Sequence, residues 1–344
     1  MIEGCFTALI TPFTAEGVDY DGLERLVEYQ IENGISGVLA VGTTGESPTL
    51  NWEEHSRVVA QCAKSCGNRA MSIAGTGSNN TLEALSGTRH AVEAGVQAVL
   101  LVDPYYNGPS SPEIRKEYVA PIAAAFPGIQ IIPYVIPGRT GTQLLPEDLA
   151  LLARQFDNVR TVKEATGNLE NMRRTRACCG ADYAILSGDD GLTFDMMTDT
   201  GIRAGGVISV FSNLLPAAVS EMVRLLASGR TDEARKLNEI LDPLFQLVSV
   251  KTRETTSFGE VTCKAKNPLG IKTLMTVLGM PAGPCRRPLG KLTRNGLEKI
   301  LSAARQVHAD APELFRPLER FFGVDVAERL YTPMYWEGLC YEDY

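Results

Sequence analysis

The chain has 344 residues, of which 44% are hydrophobic and 22% charged, and a formal net charge of −8. These proportions suit a globular enzyme with a large core, and the acidic balance argues against a nucleic-acid or anionic-membrane partner. No apolar run is long enough to span a bilayer, and Met1-Ile2-Glu3-Gly4 leads into the first strand-like segment without a basic or apolar leader, so a cytoplasmic protein is expected.

Eight apolar, β-branched runs follow in chain order: Phe6–Ile10, Val38–Val41, Met71–Ala74, Ala98–Val102, Ile129–Ile136, Val159–Lys163, Tyr183–Ser187 and Val207–Val210. Each ends in a short polar or Gly-rich loop. Helical patterns fill the intervals. In residues 21–33, Leu23, Leu26, Val27 and Ile31 fall near helical spacing and Gly34 closes the segment. Asn51-Trp52-Glu53-Glu54 and Asn80-Thr81-Leu82-Glu83 read as capping boxes, and Leu145-Pro146 opens a further helix. Eight strands alternating with helices predict an α/β fold, a (β/α)₈ TIM barrel, over residues 1–227.

After the eighth strand the pattern becomes helical over 214–248, 271–279 and 291–308, which predicts a C-terminal helical domain over 228–308. Within it, residues 251–266 are polar and turn-rich and are expected to form an inserted exposed loop. Residues 309–344 form an extension rich in Phe and Tyr. Disordered tails are poor in aromatics, so this one is expected to pack. The eight cysteines lack the paired spacing of a zinc site and are expected to be reduced and mostly buried.

Barrel chemistry sits at the C-terminal ends of the strands. Gly42-Thr43-Thr44-Gly45 follows strand two; its glycines and hydroxyls suit either a small carboxylate or a tight turn. Tyr105 and Tyr106 follow strand four as a proton relay or as plain packing. Arg139, after a Pro-Gly turn, can fork onto a carboxylate or simply be solvated. Lys163 closes strand six. If it points into the barrel mouth, desolvation lowers its pKa and the neutral amine can attack a carbonyl; otherwise it is structural. Asp189-Asp190 suits a turn and cap better than a metal. None of the three histidines, His55, His90 and His308, falls at a strand end, so no histidine base is expected; carboxylate-bound Mg²⁺ stays open but has no clear cluster, and no metal is expected. Lys and Tyr remain, pointing to amine-based covalent catalysis without a cofactor.

These segments together resemble the dihydrodipicolinate synthase / N-acetylneuraminate lyase family of class I pyruvate-dependent aldolases, over about residues 2–300. The likeness rests on Thr-Pro-Phe at 11–13, Gly-Thr-Thr-Gly-Glu-Ser at 42–47, Ala-Gly-Thr-Gly at 74–77 and Pro-Tyr-Tyr-Asn at 104–107. It continues through Tyr-x-x-Pro-Gly-Arg-Thr-Gly at 134–141, Lys-Glu-Ala-Thr-Gly at 163–167, Ser-Gly-Asp-Asp at 187–190 and Gly-Val-Ile-Ser-Val at 206–210. Each segment is unspecific alone; eight in order at strand ends or starts are specific.

The resemblance implies that Lys163 forms the Schiff base and Tyr134 relays protons. Thr43 and Thr44 orient that tyrosine and hold the pyruvate carboxylate. Tyr106 reaches across a dimer interface, the Ile208 backbone lines the substrate pocket, and Gly188 joins the substrate-binding set. It further implies a homodimer or homotetramer acting on pyruvate and a small aldehyde. Arg139 favours the synthase branch, where it anchors the carboxylate of aspartate semialdehyde. A sibling aldolase acting on a 2-keto-3-deoxy sugar acid is the alternative, and a non-catalytic ligand-binding barrel is the alternative of another class. The positions matching a feedback lysine site are Ser47, Pro48, Trp52, His55, Asn79, Glu83 and Tyr105. Val135 and Asp103 depart from the usual Asn and Thr of the family pattern.

Overall fold

The computed structural model describes residues 1–344. Its eight central strands are β1 (Gly4–Ala8), β2 (Gly37–Ala40), β3 (Met71–Gly75), β4 (Ala98–Val102), β5 (Gln130–Val135), β6 (Thr161–Glu164), β7 (Ala184–Ser187) and β8 (Gly206–Ser209). They pair in parallel in chain order, and β1 joins both β2 and β8, closing the barrel. The predicted runs are therefore the barrel strands, with boundaries shifted by one or two residues. Parallel strands covered on both faces carry little polar alternation, which is why they read as continuous apolar runs. Phe6, Leu39, Ile73, Leu100, Leu186 and Ile208 fill the interior.

The helices begin where local chemistry sets them. Asp19 accepts from the Gly22 N–H at 2.8 Å and caps Tyr20–Glu32. The Asn51–Glu54 capping box forms ahead of Trp52–Cys66. The second expected box does not. Asn80 caps Thr81–Glu93 through the Leu82 N–H, but Glu83 turns back to accept from Ser78 Oγ at 2.5 Å. A nearby hydroxyl donor outcompetes the backbone N–H there.

After β8 the chain forms helices Pro216–Ala227 and Thr231–Phe245, separated at Gly229, where φ is +75°. The expected loop at 251–266 is instead an antiparallel hairpin, β9 (Ser249–Thr256) and β10 (Gly259–Lys266), turning at Ser257-Phe258. Its β-branched residues favour strands. The alternation is blurred in the sequence because the inner face of β9 includes Thr252 and the buried Glu254, while the inner face of β10, made by Val261, Cys263 and Ala265, is only half-buried. Helices Leu269–Val277 and Arg294–Asp310 follow. Asn295 and Lys299 on the latter donate to the carbonyls of Arg253 and Lys251, docking β9.

The aromatic extension packs, as its composition predicts. Phe321 and Phe322 lie 5.2 and 5.0 Å from the buried Tyr29 ring, and Arg305 stacks on Tyr331 and Trp336. All eight cysteines are free thiols, three of them buried. No helix is long and apolar enough to cross a membrane.

Candidate active site

Strand alternation turns Lys163 inward at the upper end of β6, beside Tyr134 on β5, its partner in register. The ammonium nitrogen lies 4.4 Å from the centre of the Tyr134 ring. Only 4% of Lys163 is exposed. Burial lowers its pKa from the usual 10.5 to about 7; Asp190 opposes the fall and the Arg139 charge adds to it. Near neutral pH roughly half the amine is then unprotonated, about 10³-fold more than for a solvated lysine. Gly188 leaves room for this side chain: a Cβ there would lie 3.1 Å from Lys163 Cε and 2.8 Å from Ala165 Cβ.

Asp190 is buried and is held by the Ser209 hydroxyl and by the Val210 N–H at 2.8 Å. Burial raises its pKa to about 6. Asp189 caps the following turn through the Gly191 N–H at 3.0 Å. Asp189 thus turns and caps the chain as its sequence context suggests, whereas Asp190 ties β7 to the end of β8, which the sequence did not indicate.

Tyr134 is 5% exposed. Burial pushes its phenol up to about 12, while the Arg139 charge and the Thr43 hydroxyl pull the other way. A neutral phenol beside a neutral amine can pass a proton in either direction. Thr43, Tyr134 and Arg139 open onto one cleft of about 210 Å³, which Ser47, Pro48 and Tyr105 also border. Ile208 is fully buried in the barrel interior and is not among the residues that line this cleft.

Arg139 reaches outward at the rim. The residue is exposed as a whole, but the surrounding chain partly desolvates its guanidinium, which lowers its pKa, with Tyr134 opposing. Its Nη2 donates to the Asn267 carbonyl at 3.1 Å. Thr44 is buried, and its hydroxyl accepts from the Asn267 side-chain amide at 2.9 Å. The loop that follows β2 and carries Thr43 and Thr44 is anchored by Glu46, which holds φ at +55° and is fully buried. Its carboxylate pairs with Lys272 Nζ at 2.6 Å and accepts from the Arg286 N–H at 2.8 Å. The ion pair therefore ties the helical domain to the two threonines.

Tyr106 is 94% exposed with φ at +80° and lies outside the cleft of its own chain. The remaining positions of the lysine-site reading are gathered on one side of the barrel. Asn79 accepts from the Tyr105 N–H at 2.7 Å, and the His55 ring meets Trp52 edge-on at 5.3 Å. His55 is bound to the Gly75 carbonyl, and burial lowers its pKa to about 4, so it is neutral. No group of three or more His, Cys, Asp or Glu is arranged to hold a metal ion.

Residues 1–307 match the model of the Dihydrodipicolinate synthetase family. The chain belongs to that family. It is 39% identical over 300 residues to the 4-hydroxy-tetrahydrodipicolinate synthase of Syntrophus aciditrophicus, covering 87% of this chain and 96% of the relative. The solved 4-hydroxy-tetrahydrodipicolinate synthase of Methylacidiphilum fumariolicum superposes with a TM-score of 0.83 at 36% identity, covering 94% and 100% of the two chains. The lysine-bound enzyme of Cyanidioschyzon merolae gives a TM-score of 0.80 at 32% identity, covering 89% and 98%.

The contacts that Asn267 makes with Thr44 and Arg139, and that Lys272 makes with Glu46, were not foreseen from the sequence. Asn267-Pro268 following a polar hairpin is a turn signal like many others. Asp103, one of the two departures, is buried: its Oδ2 accepts from the Leu144 N–H at 3.0 Å, its Oδ1 has no partner, and burial raises its pKa to about 7.

Proposed function

We propose that this chain condenses pyruvate with aspartate 4-semialdehyde, as a 4-hydroxy-tetrahydrodipicolinate synthase does, through an imine on Lys163. One observation carries the reading: the Lys163 amine is buried in the barrel mouth, half-neutral near pH 7 and 4.4 Å from the Tyr134 ring centre. The amine attacks the keto carbon of pyruvate and water leaves, giving an imine that acts as the electron sink. Tyr134, with Thr43 at its hydroxyl, carries a methyl proton away and leaves an enamine. The enamine carbon bonds to the aldehyde carbon of the second substrate, whose oxygen takes up the proton. The substrate's own amine then displaces Lys163 and closes the six-membered ring, restoring the free lysine. No cofactor is needed, because the imine withdraws the electrons.

Thr44 is assigned to the pyruvate carboxylate and Arg139 to that of the aldehyde. Tyr106 is assigned to a neighbouring subunit's cleft in a homodimer or a tetramer built from dimers; its exposure and its distance from the cleft of its own chain support this. Ser47, Asn79, Glu83 and Tyr105 are assigned with their neighbours to a feedback lysine site, supported by the lysine-bound relative. Titration of activity with L-lysine checks that assignment, and insensitivity at millimolar inhibitor removes it.

The decisive experiment reduces the protein with borohydride in the presence of pyruvate and maps the adduct by mass spectrometry. A pyruvate-derived mass on Lys163 is expected, and none on that residue refutes the imine. Pyruvate consumption with aspartate semialdehyde, glyceraldehyde and N-acetylmannosamine then identifies the acceptor. Preference for the first is expected, because Arg139 offers a cation to its carboxylate.

A further inference from the structure

The base of the C-terminal hairpin makes three contacts beside the catalytic cleft, to Gly138, Arg139 and Thr44. Lys266 Nζ, at the end of β10, donates to the Gly138 carbonyl at 3.2 Å. The next residue, Asn267, makes the other two contacts: its carbonyl accepts from Arg139, and its side-chain amide donates to Thr44 Oγ1. Its own N–H is bound to the Val248 carbonyl at 2.9 Å, so the backbone here is held from inside the helical domain. One residue thus touches the group assigned to each of the two substrate carboxylates.

The directions of these bonds matter. A hydroxyl has one hydrogen and two lone pairs. Thr44 receives the Asn267 amide on a lone pair, so its single hydrogen is left to donate elsewhere, as an anionic carboxylate requires. Arg139 gives the Asn267 carbonyl one of its five N–H donors and makes no other hydrogen bond to the protein, so the rest of the fork is unspent. Asn267 is 8% exposed, yet its side-chain Oδ1 has no partner. Burying an unpaired amide oxygen costs stability.

We propose that Asn267 is a positioning residue that sets the Thr44 hydroxyl and the Arg139 guanidinium together, so that the C-terminal hairpin registers the two carboxylate subsites against each other. The proposal rests on the carboxylate assignments made above. Asn267 does not touch the reacting atoms; it acts through Thr44 and Arg139.

The test is a double-mutant cycle on the full chain with Asn267→Leu and Thr44→Val. Leucine matches asparagine in size, removes the donor to Thr44 and also removes the unpaired oxygen, while the backbone carbonyl to Arg139 stays. Asn267→Leu is expected to raise the KM for pyruvate about tenfold without lowering the melting temperature. In the Thr44→Val background the same change is expected to add less than twofold, because the hydroxyl it orients is gone. Lys266→Met is expected to raise the KM for the aldehyde severalfold and leave that for pyruvate unchanged. An unaltered pyruvate KM in Asn267→Leu, or a tenfold effect that persists without the Thr44 hydroxyl, overturns the proposal. Should Asn267→Leu fail to melt cooperatively, Asn267→Ala completes the same cycle. Borohydride trapping in the unmodified protein separates the two levels. Absence of an adduct there refutes the imine, whereas an adduct with no Asn267 effect refutes only the positioning role.

Discussion

Lys163→Met is expected to destroy activity and to stabilise the fold. The drop in the Lys163 pKa from 10.5 to about 7 corresponds to roughly 5 kcal/mol of disfavoured charge. The sign follows from the proton count. Between pH 7 and 10.5 the unfolded lysine is protonated and the folded one is not, so the wild-type protein gains stability as pH rises through that window. Below pH 7 the cost is present in full. Methionine fills a similar volume without a charge and removes the cost. Asp190 loses a nearby cation in the variant but keeps its Ser209 and Val210 donors, which reduces the gain to an expected 2–4 kcal/mol, about half the ceiling. The assay is thermal or denaturant unfolding of both proteins from pH 6 to 10. The variant should be more stable at pH 6, and the two curves should converge toward pH 10. Equal stability at pH 6 refutes the claim that Lys163 is desolvated at a cost, and with it the reason its amine is neutral.

The rate of borohydride-trapped adduct formation should rise from pH 5.5 and level off above about 7, following deprotonation of Lys163; a rise that continues to pH 10 contradicts the depressed pKa. Tyr134→Phe should lower kcat by about 10²–10⁴-fold while pyruvate still becomes trapped on Lys163, since the phenol moves protons and does not bond to carbon; mass analysis and steady-state rates check both halves. Gly188→Ala should crowd Lys163 Cε and Ala165 Cβ, costing about 1–3 kcal/mol and slowing adduct formation. Gly128→Ala is the control, because nothing lies within 4 Å of the Cβ it adds. Lys272→Met should destabilise by about 3–5 kcal/mol, because it strands the buried Glu46 carboxylate; calorimetry measures it.

The barrel was legible because its signal is local and repeated. A strand covered on both faces must be apolar along its length, and the turn after it must be polar or glycine-rich, so eight such pairs specify the architecture without any long-range information. The strand-end residues were legible for the same reason: Lys163 and Tyr134 stand next to recognisable ends. The hairpin of β9 and β10 was not legible, because the inner face of β9 carries Thr252 and the buried Glu254 and the inner face of β10 is only half-buried, so polar residues blur the period. The second capping box was misread at Glu83, since Ser78 is a closer hydroxyl than spacing alone discloses.

The amino-acid order by itself therefore determines the number of barrel strands, where the helices between them begin and which side chains stand at the barrel mouth, since all of these depend on near neighbours. Closure of the barrel decides how those side chains behave. The Lys163 amine becomes half-neutral only when seven other strands and their loops exclude water from it. Thr44 meets Asn267 across 223 positions of sequence, and Glu46 meets Lys272 across 226. Neither contact has a periodic signature, because a single hydrogen bond between distant segments is set by packing and leaves no pattern along the chain.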